Sequence, residues 1–86
     1  MSYLIEYEPE AIADLENLTQ VVRQRIIKKI NWLGENFDQI NPQILTGDLS
    51  GLFKLRVGDY RVIYEFDREE EMIFIYRIRH RRQVYD

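Results

Sequence analysis

The sequence predicts an α+β domain: one strand, then two helices, then three strands. Two observations predict it. Apolar residues recur with a helical spacing in the first half, whereas apolar and polar residues alternate strictly from Leu52 onward. Helical segments therefore come early and strands late, which favours a helical hairpin packed on one face of a mostly antiparallel sheet. A length of 86 residues fits a single domain, 1–86.

The first half reads as a strand followed by the hairpin. Ser2 to Tyr7 alternates, and Pro9 is typical of the first turn of a helix. The first helix, at about 9 to 18, has the apolar positions Ala11, Leu15 and Leu18. Thr19 is expected to cap a second helix, whose stripe is Val22, Ile26, Ile30 and Leu33, widened by Val21 and Ile27. Trp32 and Phe37 are expected to close its core, and Gly34 and Asn36 to stop it.

Residues 38–50 form a linker without a clear period, and the strands follow it. Gly58-Asp59 suits a two-residue hairpin turn, and residues 67–71 form a charged turn before the last strand. The predicted core face consists of Phe53, Leu55, Val57, Tyr60, Val62, Tyr64, Phe66, Met72, Phe74, Tyr76 and Ile78. The predicted opposite face consists of Lys54, Arg56, Arg61, Arg77 and Arg79, with Ile63, Ile73 and Ile75 between them.

Charge is divided unevenly along the chain. The net charge is −3, but residues 1–48 carry four basic and eight acidic side chains, and residues 49–86 carry eight basic and seven acidic ones. The arginine cluster thus favours a polyanionic partner, although the negative net charge of the whole chain does not. The absence of cysteine fits a cytoplasmic protein, and neither a membrane span nor a signal peptide is expected. With one histidine and no cysteine, no metal site and no cofactor are expected.

The motifs of the second half resemble those of a known family. The run LxGLFKLRVGDYRVIYEF, the strand MIFIYRI and the ending HRRQVY are similar to the RelE/ParE superfamily of bacterial toxins, and most to its RelE branch. The helical segment VRQRIIKKI is also in register, so the resemblance covers nearly the whole chain.

The resemblance implies a fold like that of microbial ribonucleases and the toxin of a type II toxin–antitoxin system. Such toxins enter the ribosomal A site, cleave mRNA there and inhibit translation. A cognate antitoxin neutralises the toxin, and the complex often represses its own operon. DNA contact is therefore expected through that complex and not from the toxin alone.

Cleavage of RNA by the adjacent 2′-hydroxyl needs a base, an acid and cations that stabilise the phosphorane. The resemblance gives phosphate stabilisation to Arg61, in the family's YR motif, and to Arg81, with Arg79 as its substitute if the register slips by two. It gives Tyr85 base stacking or proton transfer. His80, the one imidazole in the chain, is a candidate acid or base.

Four further cations are candidates for binding the RNA backbone, which positions RNA without reading its sequence: Lys54, Arg56, Arg77 and Arg79. Some family members carry two lysines two residues apart on this strand, and here Leu52 stands at the first position. Two other functions stay open: a ParE-like gyrase inhibitor, and a catalytically degenerate module that only binds its antitoxin. The plainer interpretation of Arg61 is a solvated strand arginine paired with Glu65.

Overall fold

The computed structural model describes residues 2–45 and 51–83 and confirms the α+β class. Its elements are β1 (Leu4–Tyr7), α1 (Pro9–Glu16), α2 (Gln20–Asn36), β2 (Gln43–Ile44), β3 (Phe53–Val57), β4 (Tyr60–Asp67) and β5 (Met72–His80). Short 3₁₀ turns lie at Phe37–Gln39 and Arg81–Gln83. The two residues of β2 fall inside the predicted linker, where the sequence has no strand period.

The five strands form one sheet in the order β1-β5-β4-β3-β2. β1 is parallel to β5, and each other neighbouring pair is antiparallel. α1 packs against β5, and α2 against β1 and β3. Both helices thus cover the same side of the sheet, called here the helix face. The other side is the outer face.

The hairpin is fixed by local contacts that the sequence predicts in part. Pro9 occupies the first turn of α1, and the Thr19 hydroxyl accepts a hydrogen bond from the backbone N–H of Val22 at 3.4 Å. Arg23 of α2 donates to the carbonyl oxygens of Leu15 and Leu18, each at 2.9 Å. Leu15 is in the last turn of α1 and Leu18 is in the link between the helices, so Arg23 ties the end of α1 to α2.

Three predictions about α2 are wrong. Gly34 does not stop the helix: it is buried inside α2, and a Cβ there would lie 3.0 Å from the carbonyl oxygen of Tyr3. Glycine is needed because the helix passes so close to β1. Trp32 is 39% exposed and does not close the core, and Val21 is 70% exposed and does not widen the apolar stripe. Phe37 is buried as expected.

A β-bulge overturns the predicted alternation of β5. Ile63 pairs with Arg77, but Tyr64 pairs with Ile75, which leaves Tyr76 without an opposite residue on β4. The extra residue shifts the period by one. As a result Ile73 and Ile75 are fully buried in the main core, not on the outer face, whereas Phe74 is paired with Glu65 outside that core.

A second small core divides the outer face. Leu45 and Ile63 are 1% and 3% exposed, and Leu52 packs against them. The backbone N–H of Leu45 donates to the carbonyl of Leu52 at 2.9 Å, which closes this segment over β4. Ile63 is therefore not part of an open mixed face, as the sequence predicted, but the buried centre between the two ends of that face.

Candidate functional site

Three arginines stand side by side across the outer face. Arg56 of β3 pairs directly with Arg61 of β4, and Arg61 pairs with Arg79 of β5. We call these three residues the basic row. Side chains opposite each other on neighbouring strands lie about 5 Å apart at Cβ, so the row is a continuous cationic strip across three strands.

The basic row forms no contact ion pairs among the described residues. Within the part of the chain that the structure describes, no carboxylate is within ion-pair distance of these three arginines. Asp59 acts on Arg61 and Asp14 acts on Arg79 through space, each while paired with another arginine. Like charges directly opposite each other destabilise a sheet, by roughly 0.2–1 kcal/mol for each pair. A row that costs stability and has no carboxylate at ion-pair distance is typical of a site that binds an anion.

Arg61, in the middle of the basic row, is held over the hairpin turn. Its Nη1 donates to the carbonyl oxygens of Tyr60 at 3.2 Å and Gly58 at 3.4 Å. Partial burial lowers the pKa of Arg61, and the charges of Arg56 and Arg81 lower it further. Asp59 acts in the opposite direction, without reversing the shift. A guanidinium remains charged in proteins, so Arg61 is a partly desolvated cation next to two others, and a phosphate would stabilise it.

Arg81 extends the cationic cluster beyond the end of β5. Its backbone N–H donates to the carbonyl of Asp59 at 2.7 Å, and its Nε lies 3.8 Å from an Asp59 carboxylate oxygen. Both side chains are more than half exposed, so this pair contributes little stability and competes weakly with a phosphate. The structure thus brings Arg81 close to Arg61 and the turn at Gly58.

Arg77 is not part of the basic row, because it forms an ion pair with Asp14 of α1. Its Nε and Nη2 donate to the two carboxylate oxygens of Asp14 on α1, at 2.9 and 3.2 Å. Asp14 also accepts the backbone N–H of Ile78 at 2.9 Å. Partial burial by itself raises the pKa of Asp14, but the hydrogen bonds from Arg77 and Ile78 outweigh it, and the net pKa is lowered. This contact fixes α1 to β5 immediately before Arg79.

Lys54 lies in the row next to the basic row, between Gln43 of β2 and Ile63 of β4. It is half-buried and, with Arg56, lines a groove of about 250 Å³ that also contacts Lys29 and Trp32 of α2. Leu52, which stands where some family members have a lysine, instead packs in the second small core.

His80 is not brought to the basic row. It pairs with Tyr60, whose side chain packs against the main core, and the two rings meet edge to face at 5.3 Å. Its Nδ1 accepts the backbone N–H of Arg82 at 3.3 Å. His80 therefore lies on the helix face at the end of β5. Tyr85 falls outside the described residues.

Two further observations concern proton transfer and metal binding. Burial raises the pKa of Tyr64 to about 12, so its hydroxyl stays protonated near neutral pH. Among residues 2–45 and 51–83, no three His, Asp or Glu side chains come together as a metal-binding group. Over the same ranges, no helix has the length and apolar character needed to cross a bilayer.

Sequence reasoning missed two residues that border the site, and a signal existed for each. Asp14 lies at i+3 from Ala11, on the buried side of α1, and a carboxylate there indicates a buried partner. Trp32 lies two residues after Ile30, off the apolar stripe of α2, so the same period that predicts the stripe predicts that Trp32 is exposed.

Comparisons with known proteins all give toxins of toxin–antitoxin systems, but they name two branches, ParE and RelE. A family model described as "ParE toxin of type II toxin-antitoxin system, parDE" matches residues 5–85. The mRNA interferase toxin RelE of Escherichia coli (strain K12) is 27% identical over 92 residues, covering 99% of this chain and 92% of that protein. The mRNA interferase RelE of Shigella flexneri matches with the same identity and coverage.

Two solved structures extend the comparison to three dimensions. The toxin–antitoxin complex RelBE2 from Mycobacterium tuberculosis contains a chain that superposes with a TM-score of 0.82 at 25% identity, covering 93% of this chain and 92% of that one. The archaeal RelE–RelB complex from Pyrococcus horikoshii OT3 gives a TM-score of 0.74 at 26% identity, with 94% and 97% covered.

Proposed function

The chain belongs to the RelE/ParE superfamily of toxins of type II toxin–antitoxin systems, and we propose that this protein is a ribosome-dependent endoribonuclease. It cleaves mRNA in the ribosomal A site and thereby inhibits translation. The observation that carries the proposal is the basic row of Arg56, Arg61 and Arg79, whose directly opposed charges form no ion pair with a carboxylate among the described residues.

The chemistry assigned to the row is stabilisation of charge at phosphorus. The 2′-hydroxyl loses its proton and its oxygen forms a bond to the adjacent phosphorus while the bond to the 5′-oxygen breaks. The leaving 5′-oxygen takes up a proton, so the products are a 2′,3′-cyclic phosphate and a 5′-hydroxyl, with no net change in protons. Negative charge grows on the phosphoryl oxygens in the transition state, and preorganised cations stabilise it. Arg61 is the central group because Arg56, Arg79 and Arg81 surround it.

The other candidates take positioning roles. Lys54 binds the backbone of the message next to the basic row, and Tyr85 stacks on a base or moves a proton. Arg77 acts through Asp14, by holding the β5 segment that carries Arg79. No general base is assigned to His80, because its ring lies on the helix face.

The partners follow from the same proposal. The message and the ribosome are the targets, and a cognate antitoxin neutralises the toxin, as the Mycobacterium tuberculosis and Pyrococcus horikoshii structures of toxin–antitoxin complexes suggest by analogy. The toxin acts in the cytoplasm, where translation occurs. It contacts operator DNA only through the antitoxin complex, since the chain alone is acidic.

The test is primer extension on mRNA from a translation reaction supplied with the purified protein. The wild type is expected to cut message on ribosomes, and Arg61→Ala to lower the rate by about 10²–10³-fold, the usual loss on removing one electrostatic contact to a transition state. Arg61→Ala with Arg81→Ala should restore translation. The control is Arg68→Gln in the β4–β5 turn, whose ion pair with Asp38 is exposed.

The ParE name of the matching family model favours a second candidate, inhibition of DNA gyrase. Folded protein that leaves translation intact but blocks supercoiling by purified gyrase would replace the first proposal with this one. Protein that binds its antitoxin and does neither would instead be the degenerate binding module, for which the packing of Leu52 in place of a lysine is the supporting observation.

A further inference from the structure

Trp32 is an exposed aromatic ring that the core does not use. Its side chain is 39% exposed, and it lines three neighbouring grooves with volumes of about 250, 540 and 290 Å³. Lys29 lines two of them and places its Nζ 3.8 Å from the centre of the indole. The Lys29 ammonium covers one face of the indole, so a flat ring that carries negative charge nearby would stack on the exposed surface that faces the grooves.

The charge around Trp32 is opposite to that of the chain as a whole. The net charge is −3, yet the cations that line the three grooves are Arg25, Lys28, Lys29, Lys54 and Arg56, against Glu35 as the single carboxylate among their lining residues. Such a local excess of cations in an acidic protein is a binding surface for a polyanion.

Arg56 connects this surface to the basic row. It is the first arginine of the row and also lines the groove that contacts Trp32 and Lys29. β2 begins at Gln43, opposite Lys54, so the edge of β3 from Leu55 to Val57 extends beyond β2. A single strand of nucleic acid can therefore cross this edge from the outer face to α2.

We propose that Trp32, with Arg25, Lys28 and Lys29, forms a second RNA-contact surface that is continuous with the basic row through Arg56. An unpaired base stacks on the indole, and the cations bind the flanking phosphates. The choice of RNA as the polyanion rests on the proposed function. An acidic peptide is the competing occupant, but RNA is favoured because Arg56 belongs to both surfaces and because aromatic stacking matches a base.

The chain has one tryptophan, so its fluorescence reports on this surface directly. The wild-type protein, without ribosomes, is titrated with an unlabelled single-stranded RNA of about 12 nucleotides, long enough for a typical single-strand site. We expect saturable quenching of the indole that weakens as salt rises. Polyglutamate at the same charge concentration should quench far less. Equal quenching by polyglutamate, or RNA binding without quenching, would overturn the proposal.

Substitutions separate stacking from simple apolar contact. With a labelled RNA and fluorescence anisotropy, Trp32→Leu should weaken binding about tenfold, whereas Trp32→Phe, which keeps an aromatic face, should stay within about threefold. The control is Ile12→Ala, an exposed apolar residue on α1, which should bind as the wild type does. Wild-type affinity in Trp32→Leu overturns the proposal.

These experiments distinguish failure of the proposed Trp32 surface from failure of the proposed function. Saturable quenching in a protein that fails to cut message on ribosomes would overturn the proposed function and leave the Trp32 surface supported. Cleavage on ribosomes with no quenching and no effect of Trp32→Leu would overturn the Trp32 surface alone.

Discussion

The two ends of the outer face arrange like charges in opposite ways. At one end, Arg56, Arg61 and Arg79 are direct neighbours across three strands. At the other end, Glu6 of β1 and Glu65 of β4 also lie in one row, but Phe74 of β5 stands between them. The like charges are therefore adjacent at the arginine end of the face and separated by a neutral ring at the glutamate end.

The separation between the strands explains why like charges repel more strongly at one end of the outer face than at the other. Adjacent strands are about 4.8 Å apart, so the two glutamates are separated by nearly 10 Å, about the Debye length at physiological salt, and their repulsion is largely screened. Arg61 lies at half that distance from both Arg56 and Arg79, whereas Arg56 and Arg79 are as far apart as the two glutamates. Like charge on this sheet therefore costs little stability where a neutral ring intervenes, and the basic row retains a repulsion at Arg61 that a bound anion would reduce.

The largest expected effect concerns the buried segment between the two ends. Ile63→Ala should lower the free energy of unfolding by about 2–4 kcal/mol, because it leaves a cavity beneath Leu45. Urea denaturation followed by circular dichroism measures the change. Ile44→Ala, at a residue that is 64% exposed, is the control and should stay within about 0.5 kcal/mol. Equal losses in the two variants would contradict a second core at Ile63.

The second largest expected effect is the loss of stability on breaking the contact between α1 and β5. Asp14→Asn should cost about 1–2 kcal/mol, a charged hydrogen bond reduced by solvent because the Arg77 side chain is 40% exposed. The folded pKa of Asp14 lies below its ordinary value, about 3.9 in an unfolded chain. Its stabilisation is therefore present above that pH and is lost as the pH falls through the folded pKa.

Thermal denaturation of wild type and Asp14→Asn from pH 7 down to acid conditions measures this difference. The two curves should begin to converge below about pH 4 and should meet once the pH is below the folded pKa of Asp14. Asp67→Asn is the matched control, because Asp67 accepts only the backbone N–H groups of Glu69 and Glu70 in an exposed turn. A gap between wild type and Asp14→Asn that persists in acid would show that Asp14 acts without its charge.

Charge reversal compares the two ends directly. Arg56→Glu should weaken the binding of single-stranded RNA by about tenfold, 1.4 kcal/mol, and should reduce the slope of log affinity against log salt by about 0.7 for each phosphate that the variant no longer binds. Glu65→Lys, at the other end, should leave affinity nearly unchanged. Fluorescence anisotropy at several salt concentrations gives both quantities. Equal effects at both ends would mean that RNA senses total charge only.

The smallest expected effect is a gain in stability on removing Arg61. Arg61→Thr removes repulsion from both Arg56 and Arg79 and places a good strand former on β4, so stability should rise by about 0.5 kcal/mol and the melting temperature by about 2–4 °C. Cleavage on ribosomes should be lost in the same variant. Glu65→Thr, whose neighbour on β5 is the uncharged Phe74, should show no such gain. Destabilisation by Arg61→Thr would mean that the row is structural.

The site was predictable from the sequence where alternation is unbroken. From Phe53 to Phe66 the period of two places Arg56 and Arg61 on the outer face, and the structure agrees. The prediction fails from Ile73 to Tyr76, because the bulge at Tyr76 has no local signature. The face of the sheet on which His80 lies was also not predictable, because it depends on the register of β5 against β4. The role of every one of these residues stays a prediction.

The sequence by itself determined the class of the fold, the helical hairpin with its Thr19 cap, and the presence of an arginine cluster, because these depend on period and on residue chemistry along the chain. The tertiary structure alone decided which cations are neighbours. Arg56, Arg61 and Arg79 became one row and Arg77 became the partner of Asp14. Register and the packing of α1 on β5 link residues that are far apart in the chain, and no local spacing encodes them.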